Sequence, residues 1–287
     1  MRASLVLVLV AGLWAGTAIA KVPVVPPGQL LVSDRDGRLL VVDGAGRVQR
    51  RLTYIRTGCC PGQVELSADR RHAFVSVSRN ERFSLLEVDL VTGKAIRIAA
   101  GGSAALSPDG RRLAYYAIST DNGIPFRTAV VVRDLASGRS HAIRFAEPAV
   151  WGNPPDVLIN WSPDGRKLAV VGLSRRHGGQ LHIVDVDHAH TIESQPNLGH
   201  LLAPVFLDPR TIVALANCCR GTHQEMVAVS LGSGAHQPFA TLPEPPESLR
   251  RVGSGTFVAT TPDGFLLRFS QGHVRRLGRG TYFSVSG

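Results

Sequence analysis

Two twelve-residue stretches of the chain nearly coincide: Leu106-Ser-Pro-Asp-Gly-Arg-Arg-Leu-Ala-Tyr-Tyr-Ala117 and Trp161-Ser-Pro-Asp-Gly-Arg-Lys-Leu-Ala-Val-Val-Gly172. A looser copy runs from Leu66 to Val77, and degenerate forms occupy residues 206–215 and 252–259. Each copy has an apolar residue, a tight turn and a β-rich run. Proline presets φ at the first corner, aspartate bonds the backbone that follows, and glycine accepts positive φ. The β-branched and aromatic residues that come next suit a strand.

Each copy leads into a second β-rich run, another turn and a short final strand. Residues 84–89 pass through Thr92-Gly93 into 95–98, and 128–134 pass through Ser137-Gly138 into 140–145. Residues 180–186 pass through Asp187-His188-Ala189 into 191–194, and 225–231 through Gly232-Ser233-Gly234 into 236–241. Four strands recurring every 40 to 55 residues or so is the blade period of a β-propeller. A two-sheet sandwich predicts no such repeating unit. Beyond the first segment no stretch has helical periodicity, which excludes an α/β fold.

The ends fit a closed ring. Residues 29–33, 38–43 and 47–53 read as three strands with no innermost partner before them, and 281–287 resembles the innermost strand of the other units. Lending that strand to the first blade removes two sheet edges, the usual hazard of open β structure. The prediction is an all-β, six-bladed propeller of four-stranded antiparallel blades, closed by the C-terminal strand.

The Ser-Pro-Asp-Gly-Arg-x-Leu-Ala pattern resembles the WD-like repeat of TolB-type propellers, also found in the propellers of prolyl-oligopeptidase-type enzymes. The chain departs from both relatives: TolB carries a separate domain before its propeller, whereas only residues 21–28 precede the first strand here, and there is no room for the hydrolase domain of the peptidases.

The first twenty residues stand apart. Met1-Arg2 is a short positive start, residues 3–15 are almost wholly apolar, and Ala18-Ile19-Ala20 fits a secretory cleavage site. The apolar run is short for a bilayer span, which takes about 20 residues. The expected organisation is a signal peptide over 1–20 and a single propeller over 21–287, with no transmembrane helix after cleavage and a periplasmic or extracellular location. The formal net charge of +10 favours acidic partners or a negative cell surface. Nucleic acid is not expected for an exported chain.

In a four-stranded meander the first and third turns share one rim, and the second turn and the inter-blade link share the other. Here the first rim has short turns. The second carries the long connections, at 54–62, 118–127, 145–156, 174–179, 217–224 and 242–248. Long loops on a rigid scaffold are common binding elements. The binding-face candidates are Arg82, Arg127, Trp151, Arg175, Arg176 and Arg220, and the expected partner is a protein or other cell-envelope component.

Cys59-Cys60 and Cys218-Cys219 also fall on this rim. In an exported chain they are disulfide candidates, within each pair or across the loops, with free thiols and a soft-metal site as the alternatives. His182, His188 and His190 cluster around a short hairpin and read as a solvated turn. Neither a G-x-S-x-G elbow nor an H-E-x-x-H pair occurs. No catalytic residue, metal ligand or cofactor is assigned. The expected function is noncatalytic binding or scaffolding. The rival is a channel-centred, metal-dependent hydrolase or lyase, for which Glu65, Asn160 and Asp156 are the suggestive residues. Three or more carboxylate, Asn or His groups around a metal-sized gap favour the rival; an apolar or arginine-lined channel favours binding.

Overall fold

The computed structural model describes residues 23–55, 59–79, 82–121, 124–150, 159–174, 178–188, 190–195, 202–216, 224–246, 248–280 and 282–286. In chain order, β1 (Leu30–Asp34), β2 (Arg38–Val42) and β3 (Val48–Tyr54) begin blade one. Blade two is β4 (Cys59–Leu66), β5 (His72–Arg79), β6 (Arg82–Asp89) and β7 (Ala95–Ala99). Blade three is β8 (Gly101–Leu106), β9 (Arg112–Asp121), β10 (Ile124–Asp134) and β11 (Ser140–Val150). Blade four is β12 (Ile159–Trp161), β13 (Lys167–Ser174), β14 (Gly178–Asp185) and β15 (His190–Gln195). Blade five is β16 (Leu202–Asp208), β17 (Thr211–Ala216), β18 (Gln224–Ser230) and β19 (His236–Leu242). Blade six is β20 (Ser248–Gly253), β21 (Thr256–Thr260), β22 (Phe265–Ser270) and β23 (His273–Arg279), and β24 (Tyr282–Ser286) ends the chain.

Every blade is a four-stranded antiparallel meander, and β24 takes the innermost place of blade one, pairing Leu31 with Ser286 and Val32 with Val285. The six-bladed ring closed by its last strand is as the repeat predicts.

The repeated turn is held by its serine and aspartate. Ser107 Oγ donates to Asp109 at 2.6 Å and accepts from the Arg112 amide at 2.9 Å. Ser162 with Asp164 and Lys167, and Ser67 with Asp69 and His72, repeat the arrangement. Gly110 and Gly165 take φ of +70° and +69° at the fourth turn position, and Arg70 takes +56° at the same place in the looser copy. Such a φ is costly for a side-chain-bearing residue. Arg70 offsets the cost with charge-assisted hydrogen bonds from its guanidinium to the carbonyls of Val25, Pro26 and Gln29, which tie down the segment before β1.

Blades pack face to face through alternate strand residues. Blades three to six share one continuous apolar core, in which Phe257 stacks on Phe269 (5.4 Å between centroids) and meets Phe239 edge-on (5.5 Å). A smaller core joins blades one and two through Leu31, Val41, Val64 and Val75. The buried Tyr116 hydroxyl donates to the Val171 carbonyl at 2.6 Å and ties blade three to blade four.

Two connections expected as loops are strand instead. Residues 118–121 and 124–127 extend β9 and β10, pairing Ile118 with Arg127 and Asp121 with Ile124, and β11 continues to Val150. The run is rich in β-formers (Ile118, Thr120, Ile124, Phe126), and the two residues between the paired ends are Asn122-Gly123, the dipeptide that favours two-residue hairpins. Cys59-Cys60 likewise opens β4 rather than preceding it, with Cys59 opposite Ser78. Among the described residues no helix is present, and none is long and apolar enough to cross a membrane.

Candidate binding cavity at the channel mouth

Each blade contributes its innermost strand to the wall of the central channel. In the three best copies the residue two places before the turn serine reaches one cavity: Glu65 from β4, Ala105 from β8 and Asn160 from β12. Phe206 of β16, which pairs with Ile212 as Leu106 pairs with Leu113 and Trp161 with Leu168, borders the cavity from blade five. Arg250 of β20 and Ser286 of β24 complete a ring with one residue from each blade. The cavity, about 600 Å³, is also bordered by turn residues Ser67, Ala68, Ser107, Pro108 and Pro163, so it lies at the short-turn rim.

Polar groups on these strands stitch neighbouring blades. Ser286 Oγ accepts from the Leu66 amide (2.9 Å) and Ser248 Oγ from the Val285 amide (3.1 Å), so β24 is bonded on both sides. Asn160 Oδ1 accepts from the Phe206 amide (3.2 Å), and Trp161 Nε1 donates to the Ala105 carbonyl (2.9 Å). The Arg112 guanidinium lies 4.9 Å from the Trp161 ring centroid.

The charged centre of the wall is the ion pair of Arg250 with Glu65, from blades six and two, which flank blade one. Both side chains are buried, 7% and 11% exposed, so the pair is only weakly screened by solvent. Burial pushes the Glu65 carboxyl above its ordinary range, with the Arg250 guanidinium acting in the opposite direction. Arg250 Nη1 also donates to the Leu249 carbonyl (2.8 Å), whereas its buried Nε has no hydrogen-bond partner. Arg70 and Arg251 border the same cavity, and Arg251 is braced by the Gly253 carbonyl.

Of the three residues suggestive of channel chemistry, Glu65 and Asn160 do meet at the cavity, and Asp156 lies outside the described residues. Glu65 is committed to Arg250 and Asn160 to the Phe206 amide. Among the described residues no group of three or more His, Cys, Asp or Glu side chains is placed to hold a metal. His188 lies in the β14–β15 turn, its ring 3.0 Å from the Asp185 carboxylate and largely exposed, as a solvated turn requires. His182 lies on β14, and burial lowers its pKa.

The loop-rim candidates are placed only in part. Arg82 opens β6 and Arg127 lies within β10, and Trp151, Arg175, Arg176 and Arg220 lie outside the described residues, as do Cys218 and Cys219. Sequence reasoning missed the Arg250–Glu65 pair, Arg251 and Ser286. A signal was present, since aligning the residue two places before each turn brings Glu65 and Asn160 into one ring. Arg250 sits in the most degenerate copy, where the turn motif that sets the register is missing.

Fold and channel wall together define a six-bladed β-propeller with a closed ring and an arginine-bearing channel mouth. Among solved structures the chain is similar to TolB from Acinetobacter baumannii, with 16% identity and a TM-score of 0.63 over 86% of this chain and 65% of that one. It is also similar to a chain of a nidogen/laminin complex (12% identity, TM-score 0.64, 90% and 97% covered). A third similar structure is an oligogalacturonate lyase in complex with manganese (15%, TM-score 0.56, 88% and 79% covered). The chain thus spans just under two thirds of the Acinetobacter TolB length, and at these identities the likeness is one of fold. No protein-family model matches the chain, and no curated protein matches it.

Proposed function

We propose that the chain is a noncatalytic binding propeller of the cell envelope. It is exported by a signal peptide over residues 1–20 and works in the periplasm or outside the cell as a single domain over 21–287. It engages a protein or other envelope component through the rim opposite the cavity, where Arg82, Arg127, Trp151, Arg175, Arg176 and Arg220 are the contact candidates. Cys59, Cys60, Cys218 and Cys219 form disulfides that stiffen that rim.

The observation that carries the binding reading is the Arg250–Glu65 pair. A metal-dependent hydrolase or lyase working in the channel needs converging carboxylate, Asn or His groups, and here the carboxylate on the described wall is bound by an arginine. An arginine-bearing channel suits binding. Solved propellers of similar fold include TolB and a chain of a nidogen/laminin complex, and also a lyase, so the fold itself is neutral between the classes.

Crosslinking and pull-down of the tagged, exported protein tests this reading. One envelope component should be recovered at near-stoichiometric yield, and should be lost when the 175–177 and 217–223 connections are replaced by short turns. Unchanged recovery from that folded variant refutes the loop-rich rim as the binding face. Peptide mapping under nonreducing conditions tests the cysteines, and four alkylatable thiols in the exported protein overturn the disulfides.

A further inference from the structure

We propose that the outer edge of blades six and one is a docking surface for an anionic lipid bilayer. The surface is built on outer strands rather than on the loops of either rim. It does not rest on the loop-rim reading, so the two stand or fall separately.

Charge is gathered there. Residues 30–54 and 248–286 hold eleven arginines against four aspartates, a surplus of seven within a chain of formal net charge +10. Asp34 and Asp36 are taken up by Arg38, and Asp43 by Arg47. Arg50, Arg51, Arg268, Arg275 and Arg276 are exposed and make no salt bridge among the described residues. Their positive field therefore remains for an anionic surface to use.

Register brings three of these arginines to one seam. Arg51 of β3 stands opposite Leu40, and Arg268 of β22 stands opposite Arg275 of β23. Leu40, and Leu266 two residues before Arg268, belong to the apolar cluster between blades one and six. Directly paired residues share a face, as do residues two apart on a strand. Arg51, Arg268 and Arg275 thus border the same inter-blade seam from its two sides. The seam is closed: a Cβ on Gly46 of the β2–β3 turn would lie 2.9 Å from the Leu277 carbonyl carbon of β23. Two arginines directly opposite each other cost stability, and an anionic surface bound over them relieves that cost.

Guarding a sheet edge does not account for this charge. Charged side chains do keep outer strands from pairing with other chains. Yet β19, another outer strand, has no acid, lysine or arginine, and β7 carries one arginine, Arg97. Apolar exposure then decides the partner. Val48 and Tyr54 of β3 are 45% and 57% exposed, and their register places both on the seam face with Arg51. A hydrophilic polyanion would neutralise the arginines and leave these side chains in water. A bilayer interface takes both, with guanidinium groups at the phosphates, valine at the acyl boundary and tyrosine at headgroup level.

The test is flotation of the purified protein with phosphatidylcholine vesicles prepared with or without phosphatidylglycerol. Binding to the phosphatidylglycerol vesicles should be about tenfold tighter or more, and should weaken as salt is raised. Arg51→Gln/Arg275→Gln should weaken it about 25-fold, at about fivefold per arginine. Arg139→Gln/Arg166→Gln, which removes the same charge from blades three and four, should leave it within about twofold. Val48→Thr/Tyr54→Thr, which keeps the charge and the strand formers, should weaken it severalfold. All six positions are exposed, and circular dichroism verifies the fold of each variant. Equal binding to neutral vesicles overturns the proposal, as does equal loss in the two arginine double variants. Vesicle binding unmoved by Val48→Thr/Tyr54→Thr overturns it too, and assigns the surface to a soluble polyanion instead. The assay holds no protein partner, so its result is independent of the pull-down.

Discussion

The guanidinium of Arg250 meets the carboxylate of Glu65 over the strand that closes the ring, so blades six and two are linked directly past blade one. The contact joins residues far apart in sequence. It also lies beside the only joint of the ring that has no covalent continuity, the pairing of β24 with β1.

The pair should behave as a unit. Replacing Arg250 with methionine leaves a buried carboxylate without its counter-ion and should cost about 3–5 kcal/mol, whereas the double variant Glu65→Gln/Arg250→Met should recover most of that. Urea unfolding of the single and double variants checks this. Additive losses would show that the two residues are not coupled.

Polar bonds that stitch the blades should each matter modestly. Ser286→Ala and Ser248→Ala leave the Leu66 and Val285 amides without their acceptors, and Tyr116→Phe removes the donor to the buried Val171 carbonyl. Each should cost about 1–3 kcal/mol, the range for stranding a buried polar partner. Unfolding midpoints measured at constant cooperativity give the comparison.

Arg70 sets two effects against each other. Arg70→Gly relieves the positive φ, worth about 1 kcal/mol, but loses three charge-assisted bonds worth about 1.5–3 kcal/mol each. A net loss of about 3 kcal/mol or more follows. Arg70→Ala keeps the strain and loses the bonds, so the order of stability is wild type, then glycine, then alanine. A thermal unfolding series would overturn this account if alanine exceeded glycine.

Acid should weaken the turns first. The Ser107 hydroxyl and the Arg111 amide hold the Asp109 carboxyl below its ordinary range, and Asp134 is held low by Ser137 in the same way. A depressed folded pKa contributes stability that is present above the unfolded value, about 3.9, and is lost as pH falls through the folded value. Glu65 has the opposite sign: its raised pKa makes the fold lose stability as pH rises from the unfolded value through the folded one. Melting temperatures between pH 2 and 7, about the span in which carboxylates titrate, should therefore fall toward acid. Ser107→Ala should flatten that fall, and Glu65→Gln should remove a small decline on the neutral side.

Local chemistry made much of the fold legible. Ser-Pro-Asp-Gly specifies a turn by itself, and strand and turn alternation at a fixed spacing leaves few architectures open. The same reading mistook residues 118–121 and 124–127 for loop, because the Asn122-Gly123 dipeptide in the sequence was passed over in favour of expected loop length. It also placed Cys59 and Cys60 just outside β4, where the short-range pattern carries no mark of the strand's start.

The sequence by itself determined the blades, their number and the last strand's place beside the first, since each follows from turns and alternation within about fifty residues. The cavity was decided by tertiary structure. Glu65 and Asn160 share one place in the repeat, but Arg250 and Ser286 stand where the turn motif is lost, and nothing in their local sequence joins them to the first two. Ring closure brings residues from all six inner strands to the border of one cavity. Only there does burial turn an isolated glutamate and arginine into a coupled pair.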